Sequence, residues 1–324
     1  MSRLQSPIPL VVIVGPTASG KSSLALRLAE SLGAEIVACD AMQVRAGLPL
    51  LTAKPTPHEL ARIPHHLIGA FGADEPATAA RYAEQADDAI AAIHARGKRV
   101  ILCGGTGLYL RALCEGLVAT PKADPEIRVR LRAQAETEGI AALHAQLAEI
   151  DEASAARISK ADYVRIERAL EVYELTGKTM TDWHRENQAE RAQGPRYQTI
   201  RIGLDPGPET LRERIAVRTQ SWLQDGLCEE VASHHAQHGP MQFPPLGYQQ
   251  VLRHLYGTGS EHLDQESMLR EICQKTAQYA RRQRIWFRSE PGIAWYEDGV
   301  QVDSTHIDAG SISIPPSEEV PYVM

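Results

Sequence analysis

The sequence lacks any apolar run near the roughly 20 residues needed to cross a bilayer, so a membrane-spanning helix is not expected. Met1 to Pro9 carry neither a basic stretch nor a long apolar one, so no secretory leader is expected there. Cysteine is scarce, with five in 324 residues. Cys39, Cys103, Cys114, Cys228 and Cys273 form no C-x-x-C pair, which argues against a structural zinc site and a disulfide framework. A cytoplasmic protein with reduced thiols is the expectation. Positive charge is in deficit: 34 Lys and Arg face 41 Asp and Glu, for a net charge of −7. Taken as an average, that balance argues against a nucleic-acid partner. The chain shows no internal repeat.

The basic residues that are present are clustered. Arg281, Arg282, Arg284 and Arg288 fall within eight residues, Arg128, Arg130 and Arg132 form a second group, and Arg165 and Arg168 a third. Any one cluster reads equally as a solvated helix face, but local basic patches on an acidic protein can bind phosphates.

The most specific motif is Gly15-Pro16-Thr17-Ala18-Ser19-Gly20-Lys21-Ser22, directly after the apolar run Leu10–Val14. It matches the phosphate-binding loop G-x-x-x-x-G-K-[ST] in its strand-to-helix context. In such a loop the backbone N–H groups point inward at a helix N-terminus, whose dipole favours an anion. Lys21 adds a point charge, and Ser22 can place a hydroxyl on Mg²⁺. Kinases, ATPases, GTPases and some pyrophosphate-binding transferases all use this loop, so it does not name the reaction.

Strands at Leu10–Val14, Glu35–Ala38 and Arg99–Leu102 alternate with helices at Lys21–Leu32 and Thr78–Arg96, a pattern that predicts a parallel sheet. Ligands of such sheets sit beyond the carboxyl ends of the strands. The loop, the stretch from Cys39-Asp40 and the turn Gly104–Gly107 therefore converge on one crevice. From about Leu117 the pattern changes to consecutive helices at Pro125–Glu138, Ile140–Ile150, Glu152–Ile158 and Asp162–Thr176, followed by a polar stretch from Thr181 to Arg196. Asp124-Pro125 is a good helix start. A strand at Tyr197–Leu204 and helices at Glu209–Leu223, Leu227–Gln237, Gly247–Leu255 and Asp264–Phe287 follow. After Pro291 the short apolar pieces and Pro315-Pro316 predict weak structure. The expected architecture is α/β: a P-loop core over residues 1–118 and 197–324, flanked by helices, with an inserted all-helical domain over 119–196.

The crevice lacks one element of an NTPase. The third strand ends Leu102-Cys103-Gly104, with no acid to hold Mg²⁺. The acid present is Asp40, after the second strand, which reads as a turn residue or as a group facing an acceptor beside the phosphates.

Taken together, Gly15–Ser22, Asp40-Ala41-Met42-Gln43-Val44, Thr52-Ala53-Lys54-Pro55, His65-His66-Leu67-Ile68, Gly104-Gly105-Thr106-Gly107-Leu108-Tyr109-Leu110, Arg168-Ala169-Leu170-Glu171-Val172, Leu246-Gly247-Tyr248 and Arg281-Arg282-Gln283 resemble the tRNA dimethylallyltransferases. The resemblance runs from about residue 10 to 288 in the family's order. It implies transfer of a dimethylallyl group from dimethylallyl diphosphate to N6 of adenosine 37 in tRNAs, those reading codons that begin with U. It also implies that Asp40 is the general base, and that Thr17, Lys21 and Arg218, with Mg²⁺ near Ser22, hold the diphosphate. The tRNA contacts implied are Asp40, Ala41, Met42, Gln43, Thr106, Arg128, Val164, Arg165, Ile166, Glu167, Arg168, Gly247, Tyr248, Arg281, Arg282, Arg284 and Arg288. Gln43 would read the edge of a flipped base. The partners implied are dimethylallyl diphosphate and a tRNA anticodon stem-loop clasped between the two domains, with no membrane and a monomeric enzyme.

The chain departs from the usual family pattern in several places. Ala41 replaces Ser, Arg45 replaces Tyr, and Val164 stands where Gln is common. Leu48-Pro49-Leu50-Leu51 replaces a glycine-containing segment, and Pro244-Pro245 and Gln249 flank Gly247-Tyr248. Rival readings are an isopentenyltransferase acting on free adenine nucleotides, a P-loop small-molecule kinase, and a non-catalytic nucleotide-binding module.

Overall fold

The structure, a computed structural model, describes residues 7–73, 75–117, 120–191 and 196–302, together with 304 and 307, with the backbone alone at 187–191. Two compact units emerge. One runs up to Cys114 and resumes at Arg196; the other is Glu115–Pro195.

The first unit begins with β1 (Ile8–Val14), α1 (Lys21–Leu32), β2 (Ala34–Ala38), α2 (Pro57–Arg62), β3 (His65–His66), α3 (Ala79–Ala95), β4 (Arg99–Gly104) and α4 (Gly107–Glu115). The second holds α5 (Pro125–Glu138), α6 (Ile140–Ile150), α7 (Glu152–Arg157), α8 (Tyr163–Thr176) and α9 (Met180–Arg191). The first then continues with β5 (Tyr197–Leu204), α10 (Pro208–Gln224), α11 (Leu227–His238), α12 (Tyr248–Tyr256), α13 (Gln265–Arg288) and β6 (Ile293–Tyr296).

The six strands form one parallel sheet in the order β3-β2-β4-β1-β5-β6. Its central strand is apolar on both faces, as a sheet covered on both sides requires. Leu10, Val12 and Val14 of β1 pack with Tyr82, Ile90 and Ile93 of α3 and Leu113 of α4. Val11 and Ile13 face the other way, onto Leu24 and Leu28 of α1. Burying each such side chain stabilises the fold by about 1.5–3 kcal/mol. Register then aligns the strand ends: Val14 pairs with Gly104, and Ala38 with Cys103. The loops after β1, β2 and β4 therefore leave the sheet at the same level.

Three local outcomes differ from expectation. The polar stretch from Thr181 forms α9, which has no broad apolar stripe to announce it; 192–195 lie outside the described residues. The Gly104–Gly107 turn leads straight into α4. Weak structure was expected after Pro291, but Ile293–Tyr296 adds β6 beside β5, pairing Arg201 with Ile293 and Leu204 with Tyr296. Pro315-Pro316 lies outside the described residues.

The helical unit has its own core of Leu131, Leu143, Leu147, Ile166 and Leu170. A second anchor is polar. The Glu171 side chain, 0 % exposed, accepts from the Asp124 amide at 2.8 Å, from Arg128 Nε at 2.8 Å and from Arg168. Burial pushes this carboxyl up, but the Arg128, Arg168 and Asp124 donors outweigh it and hold it below the ordinary range. Replacing Glu171 with Ala is expected to cost the helical unit about 3 kcal/mol, because two guanidinium groups lose their buried partner. Denaturant unfolding read at pH 7 checks this. Because the folded-state value is the lower one, the wild-type advantage is full at neutral pH and fades as pH falls through it.

Candidate active site

The phosphate-binding loop is shaped by backbone as much as by side chains. Gly15 has φ +141°, and a Cβ there would meet the Leu204 carbonyl oxygen at 2.3 Å, so only glycine fits. Ala18 is held at φ 65°, a left-handed conformation that costs a non-glycine residue about 1 kcal/mol and turns successive amides toward a common point. Gly20 caps α1, whose first amides have no acceptor within the helix. Lys21 Nζ donates to the Pro16 carbonyl at 2.5 Å. Burial lowers its pKa to about 8, with Arg218 acting in the same direction and Asp40 opposing it. Ser22 is exposed at the opening of the helix.

Asp40 follows β2 in a tight turn. Its Oδ1 accepts from the Met42 amide at 2.9 Å and the Gln43 amide at 3.4 Å, and the Val44 amide closes onto its carbonyl at 3.1 Å. Across from it, the Thr106 amide donates to the Cys39 carbonyl at 3.1 Å, and the Ala41 amide donates to Thr106 Oγ1 at 2.9 Å. The end of β2 is thus laced to the turn after β4. Gln43 Nε2 donates to the Ala53 carbonyl at 2.6 Å, which leaves its carbonyl oxygen to accept elsewhere.

The third wall is α10. Arg218 is half-buried and stacks its guanidinium on the Trp222 ring at 4.7 Å, and its Nε, itself buried, has no hydrogen-bond partner among the described residues. Burial works against its charge, and the Asp40 carboxylate supports it. Arg214 donates to the Ser19 carbonyl at 3.3 Å, tying this helix to the phosphate loop. A cavity of about 640 Å³ opens here, lined by Ala53, Lys54, Arg214, Val217, Arg218 and Trp222 among others. Lys54 donates to the carbonyls of Gly47, at 2.7 Å, and Arg45. Glu230 shapes that wall by accepting the amides of Leu50 and Leu51 at 2.8 and 3.0 Å.

The crevice therefore gathers the loop Gly15–Ser22 with Asp40, Thr106 and Arg218. Lys21, Arg218 and Asp40 each lie within electrostatic reach of the other two. Tyr279 of α13 joins them: burial raises its pKa, the Asp40 charge raises it further, and Thr106 acts in the opposite direction. Tyr279, Arg214 and Lys54 received no role from the sequence. Tyr279 lies four residues before Gln283 on a helix whose arginines dominate the pattern, and nothing local marks it.

The remaining expected contacts divide. Arg281 and Arg282 are exposed, with Arg282 over the Tyr279 ring at 5.7 Å. Arg284 and Arg288 instead donate to the buried Asp205 carboxylate, each at 2.9 Å. Ala41 and Met42 are half-buried beside Asp40. In the helical unit, Val164 is 70 % exposed, and Arg165 is exposed while pairing with Asp162 at 3.3 Å. Arg128 and Arg168 converge on Glu171.

Three residues expected at an RNA surface are interior instead. Ile166 belongs to the apolar core of the helical unit. Glu167, 5 % exposed, accepts from the Tyr163 hydroxyl at 2.6 Å. Tyr248 is buried against Leu48, Leu51 and Val251, just after the left-handed cap Gly247. Helical phase turns these three side chains inward.

Departures from the family pattern also find local partners. Arg45 donates to the Ala73 carbonyl at 3.0 Å and the Glu75 carbonyl at 3.2 Å, and stacks on Phe243 at 5.0 Å.

Residues 43–290 match the family model described as IPP transferase. The chain is 44 % identical over 303 residues to a tRNA dimethylallyltransferase of Geobacter sulfurreducens, covering 92 % of this chain and 95 % of that one. It is 45 % identical over 289 residues to a tRNA dimethylallyltransferase of Anaeromyxobacter dehalogenans, covering 88 % and 94 %. Among solved structures, the tRNA isopentenylpyrophosphate transferase of Bacillus halodurans aligns with TM-score 0.63 at 32 % identity over 91 % of both chains. A eukaryotic dimethylallyltransferase acting on tRNA aligns with TM-score 0.74 at 26 % identity over 94 % of this chain and 76 % of that one. Likeness of this extent, in sequence and in fold, places the chain in the IPP transferase family.

Proposed function

We propose that this chain is a tRNA dimethylallyltransferase that moves a dimethylallyl group from dimethylallyl diphosphate to N6 of adenosine 37, in tRNAs reading codons that begin with U. The observation that carries this reading is the meeting of one carboxylate, Asp40, with two half-buried cations, Lys21 and Arg218, at the mouth of an anion-binding loop.

The chemistry follows from those groups. An exocyclic adenine amine is a weak nucleophile, and the allylic carbon is activated by its diphosphate. As the N6 lone pair forms the new C–N bond, the electrons of the allylic C–O bond leave with the diphosphate. Negative charge grows on that leaving group, where the first-turn amides of α1, Lys21 and Arg218 supply fixed compensation. Thr17 is assigned to the bridging region of the diphosphate. The N6 proton passes to Asp40, whose Oδ1 is already oriented by the Met42 amide. A base so placed is worth roughly 10²–10⁴ in rate.

Magnesium fits as a companion of the substrate. No group of three or more His, Cys, Asp or Glu gathers among the described residues, and Ser22 offers one exposed hydroxyl beside Lys21. Mg²⁺ favours that donor set: one protein oxygen, with phosphate oxygens and waters completing the shell. When bound there it would neutralise charge on the departing diphosphate.

The acceptor face beside Asp40 is assigned to Gln43, Thr106, Arg281 and Arg282; in the helical unit, taken by itself, RNA contacts are assigned to Val164 and Arg165. Arg284 and Arg288 are not assigned to RNA, because Asp205 takes up their charge. No helix of the described residues is long and apolar enough to cross a membrane. A cytoplasmic monomer is the proposed state.

The deciding experiment compares prenyl transfer to an anticodon stem-loop with transfer to free AMP. Transfer to the stem-loop alone is expected, whereas transfer to AMP alone would replace this reading with the free-nucleotide one. Asp40→Asn should lower single-turnover transfer by roughly 10²–10⁴ with tRNA affinity unchanged. Full activity in that variant would remove Asp40 as the base.

Lys21 adds a pH signature. Its charge in the free enzyme is held below about pH 8 and lost above it. The kcat/KM for dimethylallyl diphosphate should therefore fall above about pH 8, approaching tenfold per pH unit. Lys21→Arg should abolish that limb, since a guanidinium stays charged throughout. A wild-type profile flat from neutral pH well past the Lys21 value would contradict this.

A further inference from the structure

Gln283 has no role in the reading above, yet it is placed where both halves of the site can be held by one side chain. It lies on α13 and is 5 % exposed. Its Oε1 accepts from the Thr17 amide at 2.8 Å, and its Nε2 donates to the Gly105 carbonyl at 2.9 Å. The two partners fix the orientation of the amide, because a backbone N–H can only donate and a carbonyl can only accept.

The approach at Gly105 is close. A Cβ there would lie 2.2 Å from Gln283 Nε2, so any larger residue would displace the amide. Beyond Gly105 the path continues without a gap. Thr106 donates its amide to the Cys39 carbonyl at 3.1 Å and accepts the Ala41 amide at 2.9 Å, on either side of Asp40. One glutamine thus links the loop residue Thr17 to the turn that holds Asp40. Thr17's amide is also committed by this bond, which takes it out of the anion nest and assigns it to fixing the loop.

We propose that Gln283 is a positioning residue that sets the spacing between Thr17 on the diphosphate side and Asp40 on the acceptor side. The proposal rests on the prenyl-transfer reading of that site. Transfer needs donor carbon, acceptor nitrogen and base in near-attack geometry, and displacement of about 1 Å costs on the order of 10²-fold in rate. Neither hydrogen bond of Gln283 reaches substrate, so its loss should leave ground-state binding largely in place.

The test uses the full chain with an anticodon stem-loop and dimethylallyl diphosphate. Gln283→Met keeps the length of the side chain and removes both hydrogen bonds. It should lower kcat by about 100-fold, with stem-loop affinity and the KM for donor each within about threefold of wild type. Gln283→Glu keeps an acceptor for Thr17 and loses the donor to Gly105, so it should fall between the two. Gly105→Ala leaves Gln283 intact but displaces it, and should reproduce the fall in kcat. Combined with Gln283→Met it should add little, because both changes break the same link. If Gln283→Met does not fold, the Glu and Gly105→Ala variants carry the same test. A kcat within threefold of wild type in the variants that fold overturns the proposal. So does a loss that tracks equal losses of donor and stem-loop binding, the mark of a purely structural role. Absence of transfer by the wild-type chain would instead count against the functional reading itself.

Discussion

Strand register is the constraint on which the site depends. Val14 pairs with Gly104 and Ala38 with Cys103. Three loops therefore leave the sheet side by side: the phosphate loop, the Asp40 turn and the Gly105-Thr106 turn. A slip by one residue would exchange the two faces of β1, setting Leu10, Val12 and Val14 against α1 and Val11 and Ile13 against α3, so the fitted packing on both faces enforces the register. The energy that holds the core is the same energy that places Asp40 opposite Lys21. The lacing between turns, from Thr106 to Cys39 and Ala41, then removes the remaining freedom at the edge.

The electrostatics of the crevice are poised for an anion. Burial opposes the charges of Lys21 and Arg218 alike. Arg218 also works against the charge of Lys21, and Asp40 supports the charge of both. A diphosphate arriving between them would relieve both costs at once. It would also gain the unsatisfied amides at the start of α1. Such a site favours the state in which most negative charge has collected on the phosphate oxygens. That is the direction of charge flow when an allylic C–O bond breaks, so fixed cations serve the leaving group more than the intact donor.

How much of this was legible in the sequence depends on the range of the signal. Gly15–Ser22 was legible because the motif, the apolar strand before it and the helix after it lie within about two dozen residues of one another. Asp40 carried a weaker signal, its place after the second strand, and Arg218 only that of family resemblance; the fold brings the two within electrostatic reach. Helix α9 was missed because its sequence is polar nearly throughout, and β6 because four residues after Pro291-Gly292 give too short a period to read. Ile166 and Tyr248 show a different limit. Matching a segment does not give its helical phase, and each of these side chains faces a core. Gln283 was invisible for a further reason: its partners lie 266 and 178 positions away.

The same long-range logic resolves the tension between an acidic protein and a proposed RNA substrate. Four arginines on α13 look like one basic patch in sequence, but a helix distributes them around its axis. Arg284 and Arg288 turn to Asp205, whose side chain is 2 % exposed, and their charge is spent on holding the helix to the end of β5. Arg282 turns the other way, over Tyr279, which lies within electrostatic reach of Asp40. Between these stripes, Gln283 and Phe287 face the core. Helix α13 is thus a structural element on two of its faces, while the third carries Arg282 over Tyr279. Net charge is a poor guide here because the sum does not say which bases are already paired with an acid and which are not. Asp205 consumes two arginines where the fold needs them, leaving Arg282, Lys21 and Arg218 near the crevice, where phosphate would be met.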